Sequence, residues 1–237
     1  MRLVILAFLL LCAVAVNAQH LTYFDWQKES FRDIRLIPRY EGRQKNADMK
    51  ASDSAFVAQT LAVIPSRREA SDHLVDLGFA ELAKGDMKSA MFRFNQAWLV
   101  EPDNADINRG FGAFFVALDR NTEAAKFYRD GLEADSTNIR MMVDLATVFL
   151  AEYYTNKNEQ HEKADQFLNV AKTMFERAWT KDRTNAEVAF KLSVCNLRKG
   201  QCAEAWKFHD LCKALGGGSM SESYLEELKQ KCVPPTH

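Results

Sequence analysis

Glu101-Pro102-Asp103-Asn104-Ala105 decides the fold, because its pattern returns twice, as Asp135-Ser136-Thr137-Asn138-Ile139 and Asp182-Arg183-Thr184-Asn185-Ala186. Each stretch has an acidic residue, two intervening positions, an asparagine and an aliphatic residue. Their asparagines lie 34 and then 47 residues apart. Turn formers of this kind stop one helix, and an asparagine caps the next. A turn repeated at a fixed interval argues for stacked copies of one unit, since an ordinary helical bundle has no reason to keep such a spacing.

The residues between these turns are helical in pattern. Ahead of the first turn, 71–104 carries Leu74, Leu77-Gly78, Ala90, Phe94, Ala97 and Pro102, with Gly85-Asp86 as an internal turn. Two antiparallel helices pack closely where one presents Gly78 and the other Ala90, and Phe94 then fills the space toward the following unit. The scheme continues in 105–138 with Phe111-Gly112, Phe115, Ala124, Tyr128 and Gly131, and in 139–185 with Leu145-Ala146, Phe149, Ala171, Phe175 and Ala178. It closes in 186–218 with Leu192-Ser193, Gly200, Ala205 and Cys212, His209 standing at the aromatic position.

This pattern resembles the tetratricopeptide repeat, a helix–turn–helix unit of 34 residues. The resemblance implies an all-α, right-handed solenoid of four units, 71–104, 105–138, 139–185 and 186–218. The third unit is 13 residues too long. The excess falls on polar Tyr153–Lys163, expected as an extended hairpin at one edge. Ser221–Cys232, within 219–237, reads as the capping helix, and Gly216-Gly217-Gly218 ends the helix before it.

Within the N-terminal part, 19–70, residues 19–50 differ in texture. Tyr23, Phe24, Trp26, Phe31, Ile34, Leu36 and Ile37 are too apolar for a free tail. Asp53–Ile64 reads as one helix stopped by Pro65. The segment either covers the N-terminal end of the solenoid or lies along its groove. Before it, residues 1–18 form an apolar run behind Arg2 ending in Val16-Asn17-Ala18, the pattern of a cleaved secretory signal. With no Asn-x-Ser/Thr sequon in the chain, this points to the periplasm or cell envelope of a Gram-negative bacterium.

Composition excludes other classes. The chain has 237 residues, 47% hydrophobic, with 31 basic and 32 acidic side chains, so no global field recruits nucleic acid or an anionic membrane. No His-Glu-x-x-His, Cys-x-x-Cys-His or phosphate-cradling glycine loop is present. No cofactor and no catalytic residue are expected. Cys195, Cys202, Cys212 and Cys232 cluster near one end. Cys195 and Cys202 flank a turn, which predicts Cys195–Cys202 and Cys212–Cys232 disulfides in an exported chain. The alternative is a metal site built from Cys195, Cys202, His209 and Cys212.

In a repeat of this kind the groove is lined from the second, fifth, ninth and twelfth positions of each first helix. The candidates are Asp72, Val75 and Phe79; Asp106, Arg109 and Ala113; Arg140, Val143 and Thr147; and Glu187, Phe190 and Val194. Leu82, Val116, Leu150 and Leu197 complete the rows. Most are apolar, and the Lys/Asn/Arg set of repeat proteins that clamp a peptide carboxylate is missing. The expected function is therefore a non-catalytic interaction scaffold. It would take a peptide or amphipathic helix of another protein in an apolar groove, with Asp72, Asp106, Arg109, Arg140 and Glu187 at the rim. The alternative is an accessory subunit of an envelope complex that uses its convex face and the 153–163 hairpin.

Overall fold

The computed structural model describes residues 21–217 and 221–234. The expected signal at 1–18 lies outside the described residues. These residues form eleven helices and no strand. The first two, α1 (Tyr23–Ser30) and α2 (Ala47–Val63), flank two 3-10 turns at Ile34–Leu36 and Pro38–Tyr40. Then come α3 (Arg67–Ala83), α4 (Met87–Val100), α5 (Asp106–Ala117), α6 (Asn121–Ala134), α7 (Ile139–Asn156), α8 (His161–Lys181), α9 (Ala186–Arg198), α10 (Cys202–Ala214) and α11 (Glu222–Lys231).

From α3 onward the helices pair as hairpins, α3 with α4, α5 with α6, α7 with α8 and α9 with α10, and successive hairpins stack. Helix α3 also touches α5, and α5 touches α7, whereas no comparable contact joins α4 to α6 or α6 to α8. The first helices α3, α5 and α7 therefore line one side of the stack, and no comparable contact extends the row from α7 to α9. The turns follow the local chemistry. Asp86, Asn138, Asn185 and Ser221 accept backbone N–H bonds as N-caps. Gly85, Gly200 and Gly216 take the positive φ that ends the preceding helix.

Small residues set the spacing. The Phe94 ring lies between Gly78 of its own hairpin and Gly110 of the next, so close that a Cβ at either would fall inside the ring's van der Waals envelope. Tyr128 stands in the same relation to Gly112. Both rings are buried, and burial pushes the Tyr128 phenol well above its ordinary range. Helix α7 contributes Met141, Leu145 and Val148 to the core on one side, and Met142, Val143, Ala146 and Leu150 to the core on the other.

Three expectations are corrected here. Tyr153–Lys163 is not an extended polar hairpin: α7 runs to Asn156 and α8 starts at His161, so the excess residues lengthen both helices. Helical hydrogen bonding simply continues through Tyr153-Tyr154, whose rings pack on each other at 5.1 Å, Tyr154 also taking a 2.8 Å bond from Arg198. Helix α2 begins at Ala47, earlier than Asp53, because Asn46 caps it. The predicted disulfides are replaced by one between Cys202 and Cys232, with Cα atoms 5.2 Å apart. Cys195 points into the α9–α10 core, while Cys202 opens α10 on the side crossed by the end of α11. Proximity in sequence across the Lys199–Gln201 turn therefore does not bring those two sulfurs together. Cys195 and Cys212 are buried free thiols, Cys195 pushed up by burial to about 12.

Candidate functional site: the first-helix face and the N-terminal cover

The N-terminal segment settles on the outer side of the stack. Trp26 donates its indole N–H to the Leu36 carbonyl at 3.0 Å and packs edge-on against Phe114 and Phe115 of α5. Asn95, buried on α4, clamps the two 3-10 turns: its amide donates to the Arg35 and Ile37 carbonyls at 2.7 and 3.0 Å, and its oxygen accepts the Arg39 N–H at 2.8 Å. The Arg39 guanidinium passes inward to Asn108, near the Phe111 and Phe127 rings. At 100° per residue, Asn108, Phe111, Phe114 and Phe115 occupy the face of α5 opposite Asp106, Arg109, Ala113 and Val116. Residues 21–46 thus cover the array from outside and leave the expected groove positions free.

Those positions divide by environment. Val75, Val143 and Val194 are 4%, 6% and 7% exposed, so they belong to the packed core and not to a binding surface. Val75 packs in one core cluster of the array, and Val143 and Val194 in the other. Phe190 is covered by Tyr224 of α11 in an edge-on contact at 5.2 Å. Phe79 lies under the Arg109 guanidinium at 4.5 Å, and Arg109 Nε donates to Asp144 at 2.6 Å. Arg109 is accordingly on the floor between α3 and α7, not at the rim. Asp144 escaped the sequence reading because it sits one place beyond a lining position. Burial raises its carboxyl above the usual range, and Arg109 opposes that shift.

The acidic candidates have structural partners. Asn104 donates to Asp72 at 2.9 Å and to the buried Ser71 hydroxyl at 2.9 Å, and Asn138 donates to Asp106 at 2.8 Å. Arg68 pairs with Asp72 at 2.9 Å and reaches Asp106 at 3.4 Å. Each junction asparagine thus holds the first helix of the preceding repeat while its backbone turn starts the next. The third junction breaks the series, since Asn185 follows a repeat whose second position is Arg140. Together with the stacked hairpins and the glycine-seated rings, this fixes the architecture.

The fold is a stack of helical hairpins, the architecture that the resemblance to tetratricopeptide repeats implies. Within the array, Ala113 and Thr147 remain half-exposed, Val116 is 40% exposed, and Arg140 and Glu187 are exposed without an ion-pair partner among the described residues. No three His, Cys, Asp or Glu side chains converge as a metal site among the described residues. Cys202 is committed to its disulfide and His209 bonds Asp210 at 2.9 Å, so the Cys/His cluster considered above does not assemble.

No protein-family model matches this sequence, and no curated protein matches it. Among solved structures, PilF of Pseudomonas aeruginosa is similar at 19% identity and a TM-score of 0.40, over 70% of this chain and 89% of that one. MamA from AMB-1 is similar at 15% identity and a TM-score of 0.47, over 78% of this chain and all of that one. Neither likeness assigns a function to this chain.

Proposed function

We propose that this protein is a non-catalytic interaction scaffold whose first-helix face binds a peptide or amphipathic helix of another protein. The observation that supports this is the row Ala113, Val116 and Thr147, of which Val116 is exposed and the other two half-buried, with the N-terminal segment on the opposite side of α5. The row is narrower and more mixed than an apolar groove. Phe79 is half-covered by Arg109, and Arg140 and Glu187, of opposite charge, stand exposed at the starts of α7 and α9. A fitting ligand carries one short apolar stripe with an acidic group toward Arg140 and a basic one toward Glu187.

Export to a periplasm or envelope is part of the same reading. Its support is the apolar segment 1–18 and the disulfide, a bond that persists in oxidising compartments. No helix among the described residues is long and apolar enough to cross a membrane.

A photo-crosslinking amino acid placed at Ala113 or Thr147, and as a control at Val170 on α8, tests the groove in the native host. Capture of one partner from the first two sites and not from the third is the expected result. Equal capture from Val170, or capture only from residues 153–163, would move the binding site to the outer face. N-terminal sequencing of the mature protein tests export, with a start at Gln19 expected.

A further inference from the structure

Residues 39–50 and α4 enclose a cleft of about 670 Å³, away from the first-helix face and lined by Arg39, Tyr40, Arg43, Lys45, Lys50, Asp53, Trp98 and Leu99 among others. Its floor is aromatic and aliphatic: Tyr40 and Trp98 lie 6.2 Å apart beside Leu99. Four cations line it against one carboxylate, on a chain whose formal charge is only −1. Asp53 is already spent on Lys45, whose ammonium also stands 3.1 Å from the Tyr40 ring centroid. Arg43 and Lys50 are exposed and have no ion-pair partner among the described residues. The Arg39 guanidinium turns inward to the neutral Asn108 and the Phe111 and Phe127 rings, so the unpaired charges that line the cleft are those of Arg43 and Lys50.

The backbone is held in place to build this cleft. Arg39 and Tyr40 are consecutive left-handed residues, with φ of 53° and 57°, a conformation that is strained without glycine. The Asn95 clamp on the preceding residues maintains it. Tyr40 is 8% exposed, and its hydroxyl makes no hydrogen bond to any described residue. Burial and the nearby Asp53 keep that hydroxyl protonated, a donor.

We propose that this cleft is a second binding site, which takes an acidic peptide segment of a partner protein. Arg43 and Lys50 pair with its carboxylates, Tyr40 donates to one of them, and an aliphatic side chain of the peptide seats on Trp98 and Leu99. The aromatic and aliphatic floor beside the cations favours a peptide, which brings an apolar side chain with its carboxylates, over a single small anion. This site is independent of the first-helix groove and can hold while that reading fails.

The test is retention of the full-length protein on an array of short peptides graded from strongly acidic to strongly basic. Retention is expected to rise with acidity, to weaken with added salt, and to fall about tenfold in R43E/K50E, two exposed substitutions whose melting curve stays that of the parent. The groove substitution V116E should leave it unchanged. Retention indifferent to peptide charge, or equal in R43E/K50E, overturns the proposal. So does equal loss in V116E, which would place the peptide in the groove. Displacement by inorganic phosphate at matched ionic strength overturns it as well, because the site would then take a small oxyanion.

Discussion

Asn138 donates to Asp106 at 2.8 Å, repeating the bond that Asn104 makes to Asp72 at 2.9 Å one repeat earlier. The junction turn is thus a cross-link between successive first helices as well as a helix start. It consumes two carboxylates that the sequence places on the groove rim.

Asn104→Ala should lower stability by about 2 kcal/mol, because it strips the buried Ser71 hydroxyl of a donor as well as removing the link to Asp72. Asn185→Ala should cost only about 1 kcal/mol, the value of a cap alone. Urea denaturation compares the two, and equal costs would mean that the cross-link contributes nothing.

Gly110→Ala should destabilise by about 1–3 kcal/mol, although alanine is the better helix former, since its methyl group collides with the Phe94 ring. In a Phe94→Leu background the same substitution should be milder, giving a coupling of about 1 kcal/mol in a double-mutant cycle. Additive costs would show that Phe94 is not what the glycine accommodates.

Removing the disulfide by Cys232→Ser should cost about 3 kcal/mol, for a loop spanning a separation of 30 residues. Non-reducing peptide mapping of the denatured chain should find Cys195 and Cys212 alkylated and Cys202 joined to Cys232. A Cys195–Cys202 peptide would refute the assignment.

Acid should weaken the hold on α11. The Arg198 guanidinium, helped by Lys231, holds the Glu227 carboxyl down at about 2 against an ordinary 4.5. Between those values the unfolded chain binds the extra proton, so stability rises with pH, and the contribution is lost as pH falls through the window. The stability gap between the parent and Glu227→Gln should therefore be largest above about pH 5 and close toward about pH 2. A gap independent of pH would show that the pair is energetically silent.

The sequence by itself determined what depends on near neighbours. The repeated asparagine turns, Gly85, Gly200 and Ser221 mark helix ends through backbone chemistry that spans a few residues, and the Ala, Gly and Phe positions carry the periodicity of paired helices. The paired helices, their stacking and the closing helix were legible for that reason, whereas α1 (Tyr23–Ser30) was not.

Tertiary packing decided everything that turns on which faces meet. Val75, Val143 and Val194 occupy lining positions by number, yet they pack in the core. Arg109 reads as a rim charge until Phe79 and Asp144 close on it from two other helices. Cys202 finds Cys232 and not Cys195 because α11 crosses the start of α10, a geometry set by the buried Trp206 bond to the Cys232 carbonyl and the Arg198–Glu227 pair. The aromatic N-terminal segment was recognisable as a cover, but only Asn95 and the α5 phenylalanines fix it to the outer side. Local pattern encodes which elements form, whereas long-range contacts between residues far apart in the chain select which of their surfaces remain open.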